Sequence, residues 1–552
     1  MRIKTVLFIF IFFIFPQLLH AVPPFPGVAV PKGQTCFVNE EAAQKRAAAL
    51  KKYVPGYASA ISSTTYSLAV IRVDFSDQVM SKTTAETKTF FESMRSFYSE
   101  NSYSLLTVTA TITGGGAGGN GAFRMAKTHS YYAKGLSSYY KELITDAIST
   151  ATAAGYNFSG YDYLMLYHAG SGAETATTSS SYIWSAFAPK SLLSGPTASG
   201  KTFSGATFVP ETEFQSVDPL GVICHEFGHQ LGLPDLYNTS TFGTQVGNWS
   251  LMDSGIYIGS PLGSNPAHFD AWSKLYLGFS SPETISYSLG SARTLSPAET
   301  TRGSFFRLPI SVSDVGSDSE YFLLEYRKTS GSSFDNYIPA QGLLIWHVDD
   351  NIASNSTRLS DNDVNNTSSR RGVSLVYADS SDPSSNNGDS GDPWPGSASN
   401  THFKTTKSDA YNGSQSGIQI TNISGAGNSS MNLTIYTSYN NPAVSSHKEP
   451  GDIVVSVGDS LGGNSRGFAN PAKGETTIIA VTPTASGKVS MKVYTQKGDL
   501  VWDSSFDATA NQQSLGVWNG KNQDGSVVAS GIYYLHISGG GLDVTKKIAV
   551  AR

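Results

Sequence analysis

His225, Glu226 and His229 stand in the order H-E-x-x-H within the segment DPLGVICHEFGHQLGLPDLY, which begins at Asp218. Residues four apart share one face of an α-helix, so the two imidazoles can ligate a single metal ion. Glu226 follows the first imidazole and can reach a water held on that metal to take its proton. The pattern implies zinc-assisted hydrolysis, with Glu226 as general base and then acid. A hydrolytic zinc keeps three protein ligands and one open position, so a third ligand is needed. Asp235 is the expectation, since Gly232 lets the chain turn sharply and bring a hard oxygen back towards the metal. The rival, the next glutamate along the chain, is Glu283, distant and in a loop-like context.

The elements that must hold these groups are legible nearby. Asp218 can cap a helix, Pro219 at the first helical position needs no amide donor, and Gly232 ends the helix after Leu231. Downstream, Met252 in NWSLMDSG lies in a short apolar patch before a turn and can floor the site. Tyr257, five residues on, could donate to a tetrahedral oxyanion or simply pack. Cys36 has three readings: a thiolate latch on the zinc of a zymogen, a partner for Cys224, or an incidental thiol. Cys224 points about 100° away from His225 on the helix, towards a core face. Asp379, Asp389 and Asp392 lie in ADSSDPSSNNGDSGDPW, where carboxylates and amide oxygens suit calcium as well as a solvated loop.

The chain has 552 residues, too many for one hydrophobic core. A net charge of −5 and no basic stripe exclude a nucleic-acid partner. Arg2 and Lys4, an apolar run from Val6 to Phe15 and Ala21 together make a secretory signal peptide, residues 1–21. With that segment cut, the mature chain has no transmembrane anchor. Two cysteines give no disulfide framework, which fits a secreted bacterial protein resting on large cores. Residues 22–65 read as a propeptide, with a helix from Asn39 to about Tyr53 that carries the dibasic pairs Lys45-Arg46 and Lys51-Lys52. The alternative is a helix that stays docked. From Tyr66, helices and buried strands alternate to about Tyr287, an α/β domain. A β-rich sandwich domain covers 288–437, a polar linker 438–455, and a C-terminal immunoglobulin-like β-sandwich 456–552.

HEFGHQLGLPDLY and SLMDSG resemble the immune inhibitor A family of secreted bacterial metallopeptidases, the M6 peptidases. VIRVDFSDQ, FYSENSYSLLTVTATITG, YHAGSGAE with IWS, PAHFDAWSKLYLGF, EYFLLEYRKTSGSSFDNYIPAQGLLIWHVDD and GDSGDPWPG extend the likeness from Tyr66 to Trp394. The resemblance implies a metzincin-like catalytic domain, with Met252 as its methionine turn, then β-rich domains, a propeptide, catalytic zinc and structural calcium. Metzincins usually carry His where this chain has Asp235, so the third ligand departs from that pattern. The region from ANPAKGETT to KKIAVAR resembles FlgD-type immunoglobulin-like domains and type IX secretion sorting tails. The implied partners are protein or peptide substrates and, through the C-terminal domain, secretion machinery; the implied location is extracellular or the bacterial outer surface. Two rivals stand beside this reading: a secreted adhesion protein with an inactive peptidase-like domain, and a zinc hydrolase of another bond.

Overall fold

The run YSLAVIRVD is almost continuously apolar, as a strand covered on both faces must be. It lies in β1, Thr64–Asp74, whose last seven residues are buried. The computed structural model that contains it describes residues 18–19, 22–26, 28, 34–35, 37–50, 63–134, 137–177, 181–285, 288–310, 319–404, 406–413, 416–437, 451, 453–457, 468–471, 477–511 and 514–551. Cys36, most of the signal segment and residues 438–450 of the expected linker lie outside these.

β1 sits between two parallel neighbours, β2 (Leu106–Ile112) and β3 (Tyr163–Ser171). The sheet continues through β4 (Gly205–Thr212), parallel to β3, and ends in the antiparallel edge strand Ala186–Pro189. Alternate residues serve opposite layers. Leu68 and Val70 of β1 join one core with Phe91, Met94, Phe97 and Tyr98 of helix α1, Thr84–Asn101. Ala69, Ile71 and Val73 join another with Tyr140, Leu143, Ile144 and Ala147 of α2, Ser137–Ala153. Helix α1 starts where its sequence dictates: Thr83 and Glu86 form a reciprocal capping box. Replacing its fully buried Phe97 by Ala would cost about 3–5 kcal/mol.

Strands Glu320–Arg327 and Gly342–Asp349 pair antiparallel and are buried throughout. Their two faces serve different partners. Tyr321, Leu323, Leu344 and Trp346 share the core that holds Leu231 and Met252, whereas Phe322, Leu324, Leu343 and Ile345 build a separate β-core. The α/β region and the β-rich region therefore interlock. Buried Arg327 clamps both oxygens of Asp335 at 2.6 Å and donates to the Trp249 carbonyl at 3.3 Å, while Asp335 Oδ1 accepts from His268 N at 2.8 Å, so hydrogen bonds tie the regions as well.

The C-terminal module keeps its own core, drawn entirely from residues 469–550. It has a three-stranded sheet and a four-stranded sheet, all antiparallel. Ile453–Val457 pairs with Thr477–Val481, so the boundary read at residue 455 runs through a strand of this module. The stretch before β3 carries two helices, His129–Tyr132 and Ser137–Ala153. The molecule is multidomain, with a mixed α/β sheet followed by β-rich regions. Among the described residues no helix is long and apolar enough to cross a membrane.

Candidate metal centre

Helix α3, Leu220–Gln230, is buried along its whole length. Asp218 caps it from two residues before, its Oδ1 accepting from Leu220 N at 2.9 Å, while Pro219 occupies the cap position itself. His225 and His229 project from one face, their ring centroids 4.7 Å apart and their planes nearly perpendicular. Each ring is oriented from behind. His225 Nδ1 lies 2.8 Å from the Leu251 carbonyl, and His229 Nδ1 lies 2.8 Å from the Leu233 carbonyl. A carbonyl only accepts, so each Nδ1 carries the proton and each neutral ring turns an Nε2 lone pair inward.

Gly232, at φ +97°, reverses the chain after the helix. Asp235 then returns to the same point: its Oδ1 lies 3.0 Å from His225 Nε2 and 3.3 Å from His229 Nε2, which are 3.1 Å from each other. Three acceptor atoms facing one another at this range repel unless a cation sits between them. Tetrahedral ligands at bond lengths of about 2.0–2.1 Å would stand roughly 3.3 Å apart, so the spacing fits a zinc-sized ion. His225, Glu226 and His229 offer ligand atoms within 4.8 Å of one another. Neither carboxylate oxygen of Glu226 has a hydrogen-bond partner among the described residues, although the side chain is fully buried. Burial pushes the Glu226 carboxyl well above its ordinary range.

Asp235 is oriented by a residue that no motif singles out. Asn362 donates from Nδ2 to Asp235 Oδ2 at 2.6 Å and accepts from Asp235 N at 2.7 Å, leaving Oδ1 to face the histidines. Asn365 and Asn366 continue the strap, bonding Leu236 O and Thr239 N, each at 2.8 Å. These asparagines belong to the β-rich region, so both regions build the site. Met252 lies beneath the helix. A Cβ on Gly228 would meet its sulfur at 3.1 Å, and its carbonyl accepts from Leu236 N at 2.8 Å.

The other expected residues fall elsewhere. Tyr257 is buried and donates to Pro23 O at 2.6 Å, with Phe25 packed edge-on against its ring. Residues 22–26 thus run past Tyr257, beside a groove of about 590 Å³ that Ile258, Leu262 and Tyr337 also line. Cys224 is buried with a free thiol, which burial pushes up well beyond its ordinary range. The acidic loop differs from the histidine site. Asp389 accepts from Asn386 Nδ2 and Gly391 N, each at 2.6 Å; Asp392 accepts from Trp249 Nε1 at 2.8 Å and Asp389 N at 2.7 Å. Asp379 accepts from Ser381 N at 2.9 Å. Among the described residues Asp379, Asp389 and Asp392 do not gather as a three-carboxylate metal group.

Comparison with known proteins gives the class of this region. Residues 158–281 match the family model described as the immune inhibitor A peptidase M6 catalytic domain. Of two relatives, one is a metalloprotease by name. The pre-pro-metalloprotease PrtV of Vibrio cholerae serotype O1 is 35% identical over 126 residues, 21% of this chain and 14% of that protein. Immune inhibitor A of Bacillus thuringiensis subsp. alesti is 28% identical over 218 residues, 33% of this chain and 31% of that protein. The chain thus spans under a third of the length of either. The region around the candidate metal centre is thus similar to the immune inhibitor A peptidase M6 catalytic domain. Residues 468–551 match a secretion system C-terminal sorting domain, and the protein is a secreted or surface protein. FlgD from Xanthomonas campestris is 18% identical, covering 19% of this chain and 72% of its own, at a TM-score of 0.13.

Proposed function

We propose that the protein is a secreted zinc endopeptidase, and that its catalytic region is metzincin-like with Met252 as the methionine turn. The observation that carries the reading is the convergence of His225 Nε2, His229 Nε2 and Asp235 Oδ1 beside an unpartnered Glu226 carboxyl group. These three atoms are the zinc ligands. Bound zinc would lower the pKa of a water towards 7 and polarise the scissile carbonyl. Glu226 takes the water proton on its carboxylate and delivers it to the departing amine. Leu251 O and Leu233 O keep both imidazoles in one tautomer, and Asn362 keeps Asp235 aimed at them. Substrates are proteins or peptides of the extracellular space, and the segment 22–28 beside Tyr257 belongs to the part removed on activation. The C-terminal module serves the secretion machinery.

The test is casein hydrolysis by processed wild type and by Glu226→Gln, with zinc measured in both. Wild type should cut, Glu226→Gln should lose a factor of roughly 10² to 10⁴, and both should hold one zinc. Processed, zinc-loaded wild type that is inert towards several unfolded proteins would instead favour an adhesion protein with a silent peptidase-like domain.

A further inference from the structure

The dibasic pair Lys45-Arg46 reads as a place to cut, within a helix expected to leave with a propeptide. The helix, Glu40–Leu50, sits instead on the end of the H-E-x-x-H helix. The last carbonyls of any helix lack partners within it. Here Asn39 N donates to His229 O at 3.1 Å, Asn39 Nδ2 to Gln230 O at 2.8 Å, and Arg46 Nε to Leu231 O at 2.7 Å. Arg46 reaches further. Its Nη1 donates to Leu277 O at 3.0 Å, the last residue of helix Ala271–Leu277, so one guanidinium holds the C-terminal ends of two helices. A cation at a helix C-terminus also complements the helix dipole. Tyr276 Oη returns a bond to Ala43 O at 3.0 Å.

The packing is as close as the bonding. Val38, Ala43 and Ala47 belong to the core that contains Leu231, Leu233 and Met252. A Cβ on Gly232 would strike Ala43 N at 2.7 Å and Ala42 C at 2.9 Å, so Gly232 serves this contact as well as the turn. The clamped carbonyls, 229 to 231, lead directly into Leu233, whose carbonyl orients the His229 ring, and then to Asp235. A helix that merely travelled with a disposable segment would have no reason to supply the catalytic helix with its C-terminal partners.

We propose that residues 39–50 stay in the mature enzyme as a clamp, that Asn39 and Arg46 are positioning residues for His229 and Asp235, and that maturation cuts before Asn39, not at Lys45-Arg46. The proposal rests on the zinc-peptidase reading for what the clamp positions, and its readouts are chosen to separate the two.

The first measurement is the N-terminus of the active secreted protein, by mass spectrometry. A chain beginning at or before Asn39 supports the clamp; full Glu226-dependent activity in a chain beginning anywhere after Asn39, at Ala47 included, overturns it. The second uses the Glu226→Gln background, where turnover plays no part. There, Arg46→Ala should weaken zinc binding about 10-fold in chelator competition, as loss of supporting contacts at metal sites does, and Arg46→Lys should recover part of it. Zinc binding unchanged in both Arg46→Ala and Asn39→Ala would overturn the proposal. In the active background, Arg46→Ala should lower kcat with little change in KM, and Lys45→Gln should alter neither activity nor the mature N-terminus. If wild type cuts no substrate while zinc binding still depends on Arg46, the peptidase reading fails and the clamp stands.

Discussion

Two pairs of buried histidines lie in the α/β region, and they are prepared for different things. His225 and His229 share a helix, each with Nδ1 against a carbonyl, and Asp235 closes the triangle in front of their Nε2 atoms. His129 and His168 come from a short helix and from β3, with ring centroids 5.5 Å apart. Their Nε2 atoms have no hydrogen-bond partner among the described residues, and no third ligand completes a group around them. Burial, then Asp77 pulling the other way, leaves His129 at about 4; burial and the neighbouring His129 take His168 to about 3. The contrast teaches that buried imidazoles alone make a packing unit. His168 Nδ1 also faces a carbonyl, Ala169 O at 3.0 Å, so a fixed tautomer is not the difference. Among the described residues, a cation site also needs the oriented carboxylate that this pair lacks.

The largest effect should come from taking the carboxylate away. Asp235→Ala should remove zinc and essentially all hydrolysis, whereas His129→Leu should leave zinc stoichiometry and casein cleavage near wild type. Equal zinc loss in both would erase the distinction. Next in size is an acid effect confined to the second pair. A histidine whose pKa falls from 6.5 to about 4 on folding contributes stability that is present above 6.5 and drains as pH falls towards 4. Wild type should therefore lose about 3 kcal/mol between pH 7 and pH 4 through His129 alone. Urea unfolding at the two pH values should show that loss reduced in His129→Leu; an unchanged slope with pH would reassign it.

Smaller again is the effect of loosening the strap. Asn362→Ala should weaken zinc binding about 10- to 100-fold, measured by chelator competition, with Asp235 still present. Affinity like that of wild type would mean Asp235 holds its direction without help. The smallest effect is expected at the acidic loop, where backbone amides and Trp249 already meet the carboxylates. Asp389→Asn should move the thermal midpoint by no more than about 2 °C. A rise of many degrees on adding calcium to wild type, absent in the variant, would show that these donors yield to an ion.

What could be read in the chain beforehand follows the range of the interactions. The H-E-x-x-H helix, its Asp218 cap, the Gly232 reversal and the buried β1 strand are encoded within a few residues and were visible as spacing and periodicity. Asn362 was not, because SDNDVNNTSS has the composition of a solvated loop and its partner Asp235 is 127 residues away. The contact of Arg46 with Leu231 O was hidden for the same reason, since its partner is 185 residues away. At the acidic loop, composition shows carboxylates but not the turn amides and the Trp249 indole that bond Asp389 and Asp392.

The strap from Asn362 to Asp235 also bears on how such chains can be recombined. A hybrid joined near residue 287, with its first half from one relative and its second from another, would inherit its metal ligands from one parent and the group that aims Asp235 from the other. Variation at 235 and at 362 should therefore be inherited together. A joint within 438–450, ahead of a module whose core is its own, imposes no such pairing, and the C-terminal module can be exchanged as an address label without rewriting the enzyme.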